Sequence, residues 1–557
     1  MIHPRRAFSS LVLVFCLATS TVVSATTDTD LENALDELLL HHPADIIGFH
    51  WHGIPTEKAD QYIARVYHDA GLRPLWVTNK GPGIRATAIY EAIRDATSNG
   101  LNPEDYGRAD IEKLWNSRKP DELARLDILL SVGLVEYISD VRHGRVQPVK
   151  ESEAVYYHGA DKNIDSVAIV NDVLAAEDVA KFLADQLPSH RFYRQTREGL
   201  KRYRELASTA KSSQIPEGKT IHPGETDSRL PAIREHLVVT GDLKEATDSD
   251  AYDDTTVDAV KRYQARHGLA MDGVIGKDTI TELNVSFDYR VRQIEMNLER
   301  LRWTEHDLGD RHIIVDIPAY TAVTMDNDDV IYEMPVIVGK HYHETPVFSE
   351  TIKYVVINPY WTITPSIARN EMLPKLRKDP GYLKKKHISL FRGWSDNNEI
   401  DPWTIDWNKV SRKEMNQYRL RQNPGPWNAL GVLKIVFPNQ HSVYMHDTPN
   451  HTLFDRSVKA FSHGCIRMDE PVKQAALVLK VTDNSWTEEK INEIVKSGKR
   501  TVVRLKEPMP VHILYQTAWG DANGTIHFVR DIYDSDKRLE KALYSNDDNS
   551  LLFKHLT

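Results

Sequence analysis

The chain has 557 residues, 41% hydrophobic and 27% charged, with a formal net charge of −10 at pH 7. That length exceeds one hydrophobic core, so three or more domains are expected, and the ordinary composition excludes a disordered, collagenous or polytopic membrane protein. Cysteine occurs only at Cys16 and Cys465, which excludes a disulfide scaffold and a four-cysteine zinc site, and the acidic balance argues against nucleic acid as a partner.

Residues 1–25 read as a secretory signal, with Arg5 and Arg6 before the apolar run Leu11–Ala18 and small residues at Val23-Ser24-Ala25. Cleavage after Ala25 is expected, delivering the chain to the periplasm. Left uncleaved, the segment would be an inner-membrane anchor, although its apolar run falls short of the ~20 residues that span a bilayer. Cleavage removes two cationic and no acidic residues, taking the charge from −10 to −12, and leaves Cys465 as the single thiol.

Residues 26–207 read as a helical scaffold. Ile84–Ser98 carries Ile84, Ala88, Ile89, Ala92, Ile93 and Ala96 on one face and stops at Asn99-Gly100. Leu123–Val141 repeats the pattern through Leu126, Leu129, Leu130, Gly133, Leu134, Tyr137 and Ile138, closed by His143-Gly144 and Pro148. The polar stretch 208–220 reads as a linker. Residues 221–286 then form a compact unit with helices at Ile233/Leu237, Thr256–His267 and Lys277–Leu283, around the turn Asp272-Gly273-Val274-Ile275-Gly276. Its glycines lack phosphate-loop spacing. Residues 287–310 read as a helical connector.

From 311 to 530 the pattern is β-rich. His312–Ile317, Tyr320–Met325, Val330–Val338, Lys353–Asn358, Val432–Phe437 and Ser442–His446 are β-branched runs between turn residues. Residues 366–430 interrupt them as an insertion too long for a bare loop. Glu470–Lys480 and Trp486–Val495 read as helices, the second with a capping box from Ser485 to Glu488. Strands at Thr501–Leu505, Val511–Gln516 and Thr525–Val529 follow, and 531–557 read as a C-terminal tail.

The chemistry concentrates at Ser462-His463-Gly464-Cys465-Ile466-Arg467, sixteen residues after His446. A thiol attacks as the thiolate, and an imidazole can take its proton. Gly464 allows close backbone approach to a developing oxyanion, and Arg467 offers a carboxylate-binding fork. Tyr444 shares a strand face with His446. Singly, each of these residues has an ordinary structural reading; their combination with the one mature thiol favours catalysis. Zinc at His341/His343 or His446/His463 lacks ligand spacing, so neither metal nor cofactor is expected.

Two resemblances follow from these residues. The Val260-Lys-Arg-Tyr-Gln264 helix, the Gly268-Leu269 step and Asp272–Gly276 resemble the three-helix peptidoglycan-binding domain. His446 with Ser462–Arg467 resembles the L,D-transpeptidase signature, and nearly all of the mature chain, most strongly 311–365 and 431–470, resembles the large L,D-transpeptidases of Gram-negative bacteria. The resemblance implies a multidomain α+β protein: helical scaffold, small peptidoglycan-binding domain, and β-rich catalytic domain with an inserted capping subdomain. It implies Cys465 as the acylated nucleophile and His446 as base, oriented by the backbone carbonyl of Asp447, whose side-chain role stays open. His463 and Gly464 are implied as supporting groups, and Arg467, Tyr444, Tyr360, Trp361 and Ser462 as substrate-binding. The implied reaction forms 3→3 cross-links from tetrapeptide donor stems and an amine acceptor. Carboxypeptidase or D-amino-acid exchange at the same site, and non-catalytic wall binding, are the alternatives. Implied partners are peptidoglycan stems, wall-synthesis proteins and carbapenem inhibitors.

Overall fold

The computed structural model describes residues 28–40, 56–146, 165–210, 214–393, 395 and 398–544. The signal segment 1–25, Pro148 and the end of the tail lie outside them. The helix Pro120–His143 organises the amino-terminal region because it is apolar all round, with Leu126, Leu130, Leu134 and Ile138 buried on successive turns. One of its two buried carboxylates, Asp127, accepts from the backbone N–H groups of Leu75, Trp76 and Val77 and from the Tyr67 hydroxyl. Those bonds tie the loop after Tyr67 to the helix, while burial pushes the carboxyl pKa up. The helix read over Ile84–Ser98 is α-helical to Arg94, then tightens to a 3₁₀ turn over Asp95–Asn99 that ends at Gly100 with φ 71°.

The second unit carries helices at Leu230–Thr240, Asp254–Arg266 and Lys277–Leu283. Gln264 accounts for its glycine turn: its amide nitrogen donates to the Val274 carbonyl and Asp272 Oδ1, both at 3.0 Å, and its oxygen accepts from Gly273 N at 2.8 Å. The linker is already clipped to this unit at Ile215, whose N–H and C=O both bond the Asn284 side chain.

The connector helix Phe287–Arg302 is buried core. It shares an apolar cluster with the helix Arg191–Thr209 and with a two-stranded ribbon, Ala518–Gly520 paired to Ile526–Phe528. The run read at Thr525–Val529 therefore packs at this junction and stands apart from the main sheet. Residues after 530 continue into a helix, Ser535–Tyr544, that packs on the connector through the buried Arg300–Asp536 pair.

The main sheet has nine strands: β1 Arg311–Asp316, β2 Thr321–Asp326, β3 Asp329–Gly339, β4 Phe348–Ile357, β5 Leu433–Val436, β6 Met445–His446, β7 Ala460–Ser462, β8 Ile466–Met468 and β9 Thr501–Leu514. The order runs β7-β3-β8-β6-β5-β4-β9-β1-β2, and β2 also pairs with β3, so the ladder closes on itself as a barrel. The two runs read at Thr501–Leu505 and Val511–Gln516 are one strand with an irregularity between Arg504 and Met509. Strand character at Ser442–His446 is confined to its last two residues. The barrel core includes Ile313, Val336, Val355, Ile435, Met445, Ile466 and Val511. The helix after Trp486 is capped by Thr487, whose hydroxyl accepts from Lys490 N, and not by Ser485. Trp486 packs on the barrel core, which keeps it outside the helix.

The insertion folds around its own core of Leu373, Leu376, Leu390, Trp407 and Leu420. Its four-stranded sheet begins at Trp361–Thr362, five residues ahead of the 366 boundary read from sequence, and pairs that strand with Tyr418–Gln422.

Candidate active site

Alternation along short strands builds the site. Met445 and Ile466 point into the barrel and are fully buried, so His446 and Arg467 point outward. Lys434 is opposite His446 on β5, and Arg467 is opposite it on β8, so the three form one row on the outer face. Tyr444 and Cys465 precede this row by two residues on their chains, with the Tyr444 carbonyl accepting from Ile466 N.

Between β7 and β8 the chain turns at Gly464, whose φ of 105° favours glycine. The turn is braced from inside. Ser462 Oγ donates to the Cys465 carbonyl at 2.6 Å and accepts from Gly464 N at 3.1 Å. Thr345 Oγ1 donates to the Gly464 carbonyl at 2.9 Å, and Tyr533 OH accepts from Thr345 N at 3.3 Å. Ser462 is thus buried and committed to the loop, correcting its reading as a substrate-binding residue. The Gly464 N–H is likewise committed, so it is no free oxyanion donor in this state. Thr345 and Tyr533 went unread in the sequence because they lie 120 and 68 positions from the cysteine and carry no motif.

The half-buried Cys465 sulfur donates weakly to the Ser442 carbonyl at 3.9 Å and meets the Tyr444 hydroxyl. Ser442 holds φ 57°, a left-handed conformation that a non-glycine residue adopts at a cost of roughly 1 kcal/mol. Burial pushes the thiol pKa up, while Tyr444, Arg467 and Lys434 pull it down. His446 is buried, and its Nδ1 is 2.5 Å from the Asp447 carbonyl. A carbonyl only accepts, so Nδ1 carries the proton and Nε2 keeps a lone pair. Burial first, then Arg467 and Lys434, hold the imidazole down to about 3, so it is neutral at pH 7.

The Asp447 side chain faces away from His446. Its Oδ2 accepts from Val432 N at 2.8 Å and its Oδ1 from Thr448 N at 2.7 Å. The carboxylate therefore fixes the backbone whose carbonyl holds the imidazole. Gly431, with φ 58°, makes room for it, since a Cβ there would lie 2.1 Å from Oδ2.

The remaining sequence candidates lie further out. His463 is exposed, and its Nε2 meets Glu371 of the insertion at 2.8 Å, with the His343 ring 4.9 Å away. It links the cysteine loop to the insertion rather than to the sulfur. Tyr360 lies under the Arg421 guanidinium at 4.2 Å. Trp361, partly exposed, packs against the insertion's own core.

A thiol and a carbonyl-held neutral imidazole thus share one outer barrel face, framed by two cations, in a chain that also has a helical amino-terminal region and a three-helix module. Family models agree: residues 310–502 match the YkuD L,D-transpeptidase catalytic domain, residues 61–200 a scaffold domain, and residues 227–283 a "Putative peptidoglycan binding domain". The chain carries a YkuD-type L,D-transpeptidase catalytic domain together with a peptidoglycan-binding domain. It is 35% identical over 253 residues to a Haemophilus influenzae protein named "Putative L,D-transpeptidase", covering 45% of this chain and 49% of that one. The match thus spans about half the length of that relative. Solved structures of an L,D-transpeptidase from Xylanimonas cellulosilytica (12% identity, 54% of this chain and 98% of that one, TM-score 0.17) and of one from Stackebrandtia nassauensis (12%, 55% and 97%, 0.21) are also similar. Those TM-scores are too low to bear on the fold.

Proposed function

We propose that this chain is a peptidoglycan L,D-transpeptidase of the cell envelope, acting through a Cys465 acyl-enzyme. The observation that carries the reading is the placement, on one barrel face within the matched catalytic domain, of the Cys465 thiol and of a neutral His446 whose Nδ1 is held by the Asp447 carbonyl. The sulfur attacks the carbonyl of the third residue of a tetrapeptide stem. The thiol proton, carried by His446 Nε2, passes to the nitrogen of the departing D-alanine, and a thioester remains. An amine of a second stem then attacks the thioester, its proton returning to the sulfur, and a 3→3 cross-link leaves. Arg467 and Tyr444 line the approach to the sulfur. The peptidoglycan-binding module supports the wall as the place of action. No described helix is long and apolar enough to cross a membrane. Carbapenems, as electrophilic acyl donors, are expected to acylate the same sulfur.

The test is incubation of the purified protein with disaccharide tetrapeptide, followed by mass analysis of the products. A dimer lacking one D-alanine is expected. Tripeptide alone would make water the acceptor and the protein a carboxypeptidase. No change in the substrate would reduce the chain to a wall-binding protein.

A further inference from the structure

Two cations on the outer face lack a counter-charge. Lys434 and Arg467 flank His446 in register from β5 and β8. Among the described residues neither is ion-paired with a carboxylate, and the buried Arg467 Nε has no hydrogen-bond partner. A half-buried ammonium beside a guanidinium is costly without an anion. One group that can become anionic bears on both, the Cys465 sulfur. Lys434 leans toward it, with its ammonium 5.1 Å from the centre of the Tyr444 ring, whose hydroxyl meets the sulfur. The other charged neighbour of Lys434 is Arg500, at the start of β9, which adds positive charge.

We propose that Lys434 is a positioning residue that, together with Arg467, stabilises the anion that forms on the Cys465 sulfur when its proton passes to His446. The inference rests on Cys465 being the nucleophile of the proposed reaction. Burial keeps the resting group as the thiol; as the sulfur attacks, its proton passes to His446 Nε2 and the sulfur keeps the electron pair. Lys434 and Arg467 also oppose protonation of His446, so the imidazole gives that proton up to the nitrogen of the departing D-alanine. Its lone pair is then available for the proton of the incoming amine. His463 and Glu371 pair with each other at the loop, and the Asp447 carboxylate faces Val432 and Thr448. Neither pair supplies the missing counter-charge.

The experiment measures alkylation of Cys465 by iodoacetamide from about pH 6.5 to 11 in the full chain, followed by peptide mass mapping. The thiolate displaces iodide and forms the S–C bond, so the rate follows the thiolate fraction. Removing an ammonium at this range is expected to raise the midpoint by about one unit in Lys434→Met, slowing labelling about tenfold below the midpoint. Lys434→Arg is expected to restore the native profile, a rescue that a packing role for the lysine stem would not produce. If Lys434→Met fails to fold, Lys434→Gln is used. A folded neutral variant with the native midpoint overturns the proposal, whatever happens to turnover. The function reading fails separately, on cross-links still formed by Cys465→Ala, an outcome that leaves the labelling profile intact.

Discussion

Acidification is expected to loosen the joint between the scaffold and the barrel, and the structure sets the size of the effect. His190 caps the helix Arg191–Thr209, its Nδ1 accepting from Tyr193 N at 3.3 Å and its Nε2 lying 3.4 Å from Thr304 Oγ1. His512 on β9 has Nε2 3.0 Å from the Leu308 carbonyl and Nδ1 2.8 Å from Ser349 Oγ. The His312 ring is 5.6 Å from that of His512, and His306 bonds the Arg142 carbonyl. Burial leads, with the neighbouring histidines adding, in holding His190 down to about 3; burial, opposed by the Leu308 bond, holds His512 down to about 4.

Both values lie below that of a free imidazole, so the unfolded chain binds protons that the folded one refuses. Stability from these groups is full above pH 6.5 and is lost as the pH falls below it. At pH 5 each histidine has given up about 2 kcal/mol, or about 4 kcal/mol for the pair. Asp316 acts in the opposite sense. Burial raises it to about 8, so acidification from pH 7.5 to 5 returns about 3 kcal/mol. The native curve alone would hide the effect, and the informative quantity is a difference. Thermal unfolding followed by circular dichroism at pH 7.5 and 5 should show the native protein losing more stability than His190→Gln/His512→Gln, by about 4 kcal/mol, or roughly 3–5 °C for a unit this large. Equal losses in both proteins would refute the reasoning.

Two further substitutions probe the supports of the site and of the junction. Asp447→Ala leaves the buried N–H groups of Val432 and Thr448 without their acceptor and should destabilise the chain by about 2 kcal/mol in urea unfolding, with Asp447→Asn, which keeps one acceptor, losing less. Gly520→Ala would place a Cβ 2.4 Å from the Gln195 carbonyl, a backbone atom that no rotamer change can move. A loss of about 1–3 kcal/mol is expected from parting the helix and the ribbon, read in the same urea titration.

Much of the site was legible because its spacing repeats strand geometry. His446 and Arg467 each sit beside an apolar residue that must face the core, and Cys465 precedes Arg467 by two. Lys434 was not legible, because its place beside His446 depends on the register of two strands separated by a turn, which no local pattern states. The resemblance implied Ser462 as a binding residue, yet its hydroxyl is consumed by the loop's own backbone. The connector Phe287–Arg302 read only as a helix between domains, but Arg290, Arg300 and Arg302 are buried against carboxylates of two other segments and of their own turn. Charge that reads as surface in one dimension is paired core here. The Ser485 cap failed for a related reason, since two hydroxyl residues precede the helix and Trp486 packing selects the second.

The most direct measurement of the central claim is the intact mass of the protein quenched during turnover on disaccharide tetrapeptide. The expected result is an adduct equal to the donor less D-alanine, mapped to Cys465, sensitive to hydroxylamine and absent from Cys465→Ala. Cross-linked product made by Cys465→Ala, or an acyl adduct on any other residue, would contradict it.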